Sequence, residues 1–330
     1  MATVYYDDDA DLAELHGRRV AVVGYGNQGR SWALNLRDSG AEVRVCVRAD
    51  ATREQARADG FTPVELSAAN EADVVCVLIP DDAIPSLGLA PRTDALTVLA
   101  SGYTLAFGRF DLPGDVGMVA PRMLGPEVRR CYEEGVGFIS AVGIHRDASG
   151  RALARTLAVA KGIGGLHQGA LALTPLQEAV LDLSVEQVLS PALTHVNQTF
   201  VATMLAQGIP LEAILTELVL SGEVERSYRL LREVGYTGQF GFHSPTSQYG
   251  QLSRRGAYEH LDVASTMRRL TEDIASGRFA EEWDAESRAG HPRLAKLRDQ
   301  FAGPAVAALE QELRRRLGPG VAAKGGPGRG

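Results

Sequence analysis

Gly24, Gly26 and Gly29 fall in the spacing G-x-G-x-x-G, as Gly24-Tyr25-Gly26-Asn27-Gln28-Gly29, directly after the apolar run Val20-Ala21-Val22-Val23. A β-branched run feeding such a turn, with an amphipathic stretch after it, sets backbone N–H groups at a helix start, where they can hold a pyrophosphate. Gly24 allows the tight turn, Gly26 lets phosphates approach the backbone, and Gly29 lets helix and strand pack closely. The spacing by itself is a weak signal, since ordinary glycine turns share it. Here both flanks are legible, so Gly24, Tyr25, Gly26, Asn27, Gln28 and Gly29 are expected to bind a dinucleotide.

Arg48 ends the next strand-like run, where such a site meets the adenosine ribose. An acidic residue there binds both ribose hydroxyls of NAD, whereas an arginine suits a 2′-phosphate. Thr52 and Arg53 add a hydroxyl and a second cation; Asp50 points the other way. An ordinary solvated loop would show the same residues. The balance favours NADPH, with NADH open.

The elements that must position these groups alternate through the first half. Strands are expected at 19–23, 42–47, 73–79, 96–100, 118–120 and 137–142, and helices at 31–39, 52–58 and 152–163. Such alternation implies an α/β fold, a Rossmann-type doubly wound parallel sheet covered on both faces. The cofactor would lie at the carboxyl ends of the strands, which adds Pro80, Asp82 and Gly102 to its candidate contacts. From about Thr174 strand signals vanish and helical periodicity takes over, at 175–189, 192–207, 211–221, 223–234, 258–276 and 304–317. A domain boundary is placed near residue 173, giving 1–173 and 174–317, with a Gly/Ala/Pro-rich tail over 318–330 expected to be disordered.

At 330 residues the chain is long enough for two cores. Its composition, 45% hydrophobic and 23% charged, is that of a soluble globular protein. A net charge of −7 with no basic block argues against a nucleic-acid partner. No apolar run is long enough to span a membrane, and the acidic start Asp7-Asp8-Asp9 is unlike a signal peptide. Cys46, Cys76 and Cys131 read as small core residues of a reducing cytoplasm.

Along almost its whole length the chain resembles the ketol-acid reductoisomerase (acetohydroxy acid isomeroreductase) family. The resemblance rests on Tyr5-Tyr6-Asp7, the glycine turn, Ala33-Leu34-Asn35-Leu36-Arg37-Asp38-Ser39-Gly40, Pro80-Asp81, Val119-Ala120-Pro121 and Ala160-Lys161-Gly162-Ile163-Gly164-Gly165. Gly277-Arg278-Phe279-Ala280 with Glu282-Trp283 resembles the closing segment. It implies a knotted helical second domain that also makes the contact of a homodimer or higher homo-oligomer. It implies NADPH, and two magnesium ions that drive an alkyl migration before reduction. Asp182 and Glu186, in Thr174-x3-Glu178-x3-Asp182-x3-Glu186, match one pair of metal ligands, and their i,i+4 spacing would put both on one helix face. Glu217 matches a third ligand, and Ser244 the serine that binds the substrate carboxylate.

Three positions depart from the family pattern. Ser221 stands where the partner glutamate of Glu217 would be, Arg122 where the family has an active-site lysine, and Ser101 where it has a histidine. Arginine does not shuttle protons as lysine does, though it can bind a carboxylate in bidentate fashion. His243 is a candidate replacement acid. These losses bear more on a metal-assisted migration than on hydride delivery. The expected function is therefore NAD(P)H-dependent reduction of C=O or C=N in a small carboxylate-bearing substrate, without the migration. In that reading Arg122 and Ser244 hold the anion, and Asp182, Glu186 and Glu217 position substrate, water or a metal. The alternatives are an authentic reductoisomerase of valine and isoleucine biosynthesis and a silent nucleotide binder.

Overall fold

The computed structural model describes residues 1–301 together with 308, 311–313, 315 and 316. Of the helix expected at 304–317, residues 308, 311–313, 315 and 316 are described and are helical, while the rest of it and the tail 318–330 lie outside the described residues. Met1–Ser184 and Ile274–Glu281 form one compact unit, and Val185–Asp273 with the described residues from Glu282 onward form a second.

The first unit is built on eight strands: β1 (Val4–Tyr5), β2 (Arg19–Val23), β3 (Glu42–Cys46), β4 (Val74–Val77), β5 (Leu96–Leu99), β6 (Asp115–Pro121), β7 (Ser140–Arg146) and β8 (Ala170–Ala172). They lie in the order β1-β8-β7-β6-β5-β4-β2-β3. The central strands are buried on both faces, as parallel strands covered by helices must be: every residue of β4 and β5 is buried. Alternation along β2 sends Val20 and Val22 into one core with Trp32, Leu36 and Phe138, and Ala21 and Val23 into the other with Val75, Val77 and Met118. The helices α1 (Asn27–Asp38), α2 (Ala51–Ala58), α3 (Tyr103–Ala106), α4 (Gly125–Glu133), α5 (Ala152–Gly162) and α6 (Pro175–Ser184) complete this unit.

The sheet is mixed rather than wholly parallel. β3, β2, β4, β5 and β6 are parallel, but β7 runs antiparallel to β6, and β1 antiparallel to β8. The reversal follows from the loop after α4. Gly135 and Gly137 take φ of 68° and 58°, and the chain returns at the end of β6 it had left, with Ser140 opposite Pro121. An alternating apolar pattern carries no direction, so sequence reading could not see this. β1 and β8, two and three residues long, are too short to leave a periodic signal.

The second unit is helical: α7 (Ser190–Ala206), α8 (Leu211–Leu215), α9 (Glu223–Phe240), α10 (Pro245–Arg254), most of α11 (Val263–Ala275) and of α12 (Arg278–Arg288), and α13 (Pro292–Phe301). α9 breaks at Gly235 (φ 73°, ψ 174°), just past the expected helix end at 234. Val185–Leu189 and Thr216–Leu220 are single π-helical turns. No helix among the described residues is long and apolar enough to cross a membrane.

Candidate active site

The glycine turn does what its spacing requires. Gly24 has φ +94°, and a Cβ there would lie 2.5 Å from the Leu78 carbonyl oxygen. A Cβ on Gly29 would lie 2.3 Å from the Gly24 oxygen, so α1 and the turn pack backbone to backbone. Gly26 is the contrast: a Cβ there meets nothing within 4 Å. It caps α1 without any side-chain hydrogen bond, so no side chain of the cap takes up the first N–H groups of the helix. These features fit a dinucleotide pyrophosphate. The turn is held from two sides. The Tyr25 hydroxyl donates to Asp59 (2.9 Å), which Arg30 grips through two bonds of 2.6 and 2.8 Å. This cation holds the Asp59 carboxyl down at about 2. Gln28 donates to the Met123 carbonyl (3.2 Å), in the loop after β6. Tyr25 and Gln28 thus brace the turn, and its open face is backbone.

At the ribose end the candidates separate. Asp50 caps α2, accepting from the Thr52 N–H at 3.0 Å and the Thr52 hydroxyl at 2.5 Å. Arg53 is tied to Glu65 and to the Val47 carbonyl. Arg48 is exposed and forms no ion pair among the described residues, which leaves it as the available cation beside β3.

The carboxyl ends of β4, β5 and β6 converge on α6. Arg122, just past β6, donates through Nη2 to Glu178 and through Nη1 to Asp182 (3.2 Å). Glu178, only 2% exposed, accepts from the Gly102 N–H at 2.6 Å with its other oxygen. A Cβ on Gly102 would collide with the Pro175 carbonyl oxygen at 2.2 Å, so only glycine lets α6 seat on the loop after β5. Gly102, expected to meet the cofactor, gives its N–H to Glu178. Ser101 hydrogen-bonds Asp81, whose carboxyl is pushed up to about 6, first by burial and then by the nearby Glu178 charge. Glu178 is raised for the same leading reason, burial, against the pull of Gly102 and Arg122. Pro80 and Asp82 beside it are exposed.

Glu178 and Asp81 were not singled out from sequence. The i,i+4 run in α6 and the position of Asp81 after a buried strand were the available signals.

The remaining candidates lie in the second unit. Glu186 and Glu217 are exposed, and each falls in one of the π turns, a distortion frequent at functional sites. α6 ends at Ser184, so the helix changes pitch between Asp182 and Glu186. Ser244 caps α10, accepting from the Ser247 N–H at 3.3 Å. His243 is engaged by Gln239 (2.8 Å) and lies 3.5 Å from the Ser247 hydroxyl. Asp182, Glu186 and Glu217 are hard oxygen donors of the kind magnesium takes. Ser221 adds little to them, because its hydroxyl turns back to the Glu217 carbonyl (3.4 Å) and accepts from the Glu223 N–H (3.3 Å). Among the described residues no group of three or more histidine, cysteine, aspartate or glutamate side chains is placed to hold a metal ion.

A Rossmann-type sheet, an open glycine turn and acids gathered at the strand ends define a nicotinamide-nucleotide-dependent oxidoreductase. The family model for the acetohydroxy acid isomeroreductase NADPH-binding domain matches residues 14–169, and that for the ketol-acid reductoisomerase C-terminal domain matches 176–318. The chain belongs to the ketol-acid reductoisomerase family. It is 35% identical to a Caldivirga maquilingensis protein named ketol-acid reductoisomerase (NADP(+)), over 97% of this chain and 100% of that one. A Saccharopolyspora erythraea protein of the same name is 37% identical, over 95% and 97%. An NADH-preferring ketol-acid reductoisomerase from an uncultured archean superposes with a TM-score of 0.87 at 29% identity, covering 95% of this chain and 99% of that one.

Proposed function

We propose that the chain carries out the NADPH-dependent reaction for which its relatives are named, reducing a small carboxylate-bearing keto acid formed from a 2-acetolactate-like substrate. The observation that carries this reading is the Gly26 cradle, open at the start of α1, in a chain alike to those relatives from end to end. The nicotinamide supplies hydride. Arg48 binds the 2′-phosphate, the α1 N–H groups bind the pyrophosphate, and Arg122 offers a fixed cation for substrate anion at the end of β6. The exposed apolar residues Leu193, Val196 and Phe200, on a helix with no buried residue, support a homodimer through the helical region. Three buried free cysteines fit a reducing compartment such as the cytoplasm.

A second reading, reduction of C=O or C=N without migration, is favoured by Arg122 bonded to Asp182 and by Ser221 turned into its own helix. One assay separates them: NADPH oxidation with and without magnesium, on 2-acetolactate, a simple 2-keto acid and a cyclic imine. Turnover of 2-acetolactate supports the first reading. Turnover restricted to the other two supports the second. Tight NADPH binding with no turnover on any substrate overturns both in favour of a silent binder.

A further inference from the structure

The short helix α2 joins the two ends of the cofactor site. At its start the Asp50 N–H donates to the Arg48 carbonyl at 2.9 Å, and the Asp50 side chain caps the helix, so Arg48 is tied to the helix start. At its end stands Asp59, whose N–H closes the last turn on the Gln55 carbonyl at 3.1 Å. The Asp59 side chain leaves α2 and reaches the glycine turn. Its Oδ2 accepts from the Tyr25 hydroxyl at 2.9 Å and from Arg30 Nε at 2.6 Å, and its Oδ1 from Arg30 Nη2 at 2.8 Å. Tyr25 and Arg30 stand on either side of Gly26 in the chain, so one carboxylate ties both flanks of the cradle to the end of α2. The tie is well supported. Tyr25 is buried, its ring packs edge-on against Phe61 with centroids 5.9 Å apart, and Arg37 donates to the Asp59 carbonyl at 2.8 Å. Charge alone does not account for this acid. A carboxylate beside a phosphate site opposes the ligand, and Arg30 left free would serve a phosphate better than Arg30 held by Asp59.

We infer that Asp59 is a positioning residue that fixes the spacing between the Arg48 cation and the Gly26 cradle, so that a dinucleotide with a phosphate for each meets both in place. This rests on the functional reading above and deepens it. A residue that touches neither phosphate then sets how well the two are bound at once. Such preorganisation raises affinity by removing the cost of ordering the two ends on binding. It acts only on a ligand that spans them.

Two ligands separate positioning from general loosening: NADPH, and adenosine 2′-monophosphate, which carries the 2′-phosphate without the pyrophosphate. Both are titrated calorimetrically into the full-length chain. Asp59→Asn keeps an acceptor of the same size and removes the charge that grips Arg30. It is expected to weaken NADPH about tenfold and to leave the monophosphate within about twofold of wild type. Tyr25→Phe keeps the ring on Phe61 and removes only the hydroxyl bond. It is expected to weaken NADPH about threefold, and it decides the matter if the asparagine variant does not fold. NADPH affinity unchanged, or tighter as a freed Arg30 alone would make it, overturns the inference. An equal loss for the monophosphate overturns it too, by marking a loosened domain rather than a lost spacing. Failure of the functional reading shows elsewhere, as wild-type NADPH affinity in Gly26→Ala, which removes the cradle from consideration. A Gly26→Ala variant that binds NADPH weakly beside an Asp59→Asn variant that binds it normally sinks this inference alone.

Discussion

Gly26→Ala should separate cofactor binding from folding, and Gly24→Ala should not. The Gly26 backbone has φ −78°, which alanine adopts freely, and its added methyl meets nothing within 4 Å. Its cost to the fold is expected to stay within about 0.5 kcal/mol, as for an exposed surface change. At Gly24 the same methyl is held at φ +94° and lies 2.5 Å from a backbone oxygen and 2.7 Å from Ile79 Cγ2. A left-handed alanine costs about 1–2 kcal/mol, and overpacking adds about 1–3 kcal/mol. That total, about 2–5 kcal/mol, corresponds to a fall in Tm on the order of 10 °C. For binding the order reverses in interest. A methyl on Gly26 stands where a phosphate oxygen must approach, and pushing it away weakens one or two charge-assisted hydrogen bonds of about 1.5–3 kcal/mol each. The expected loss of NADPH affinity is about 10- to 100-fold, read by calorimetric titration on protein whose Tm is unchanged. Wild-type NADPH affinity in Gly26→Ala would refute the placement of the pyrophosphate, because no folding defect could mask the result.

The ribose end and the acid cluster give two further outcomes. Arg48→Ala should weaken NADPH about tenfold and leave NADH nearly unchanged, since one charge-assisted contact to the 2′-phosphate is lost; equal loss for both cofactors would place the 2′-phosphate elsewhere. Asp81 holds its proton more tightly in the folded chain, at about 6, than an ordinary carboxyl does. Folding stability should therefore fall as pH rises from about 4 through about 6 and level off above, by up to about 3 kcal/mol for a shift of roughly two units. Glu178 contributes in the same direction, its carboxyl also being raised by burial. Asp81→Asn should flatten most of that slope in urea unfolding series across this range, and an unchanged slope would assign it to other groups.

What was legible in the sequence is what local backbone geometry dictates. A β-branched run followed by three glycines at set spacing leaves one way to turn from strand to helix, and Gly24, Gly26 and Gly29 occupy those roles. The charged groups behave differently, because their roles are settled by partners far along the chain. Arg48 and Arg53 look alike five residues apart, and only Glu65 makes one of them structural and leaves the other available. Glu178 and Asp182 share a helical repeat, yet one is buried and one half-exposed, because a loop 76 residues upstream of Glu178 closes over the first. Arg122 could be placed at a strand end, but not on the acids of α6, whose position depends on how Gly102 lets that helix seat. The direction of β7 was hidden for a similar reason, being decided by two left-handed glycines rather than by the apolar pattern. A change from lysine to arginine at the end of β6 therefore cannot be weighed by side-chain chemistry alone. A fork that reaches two acids at once changes what the cation is bonded to without altering a single backbone element, so the same Rossmann frame is compatible with a different cation at its strand ends.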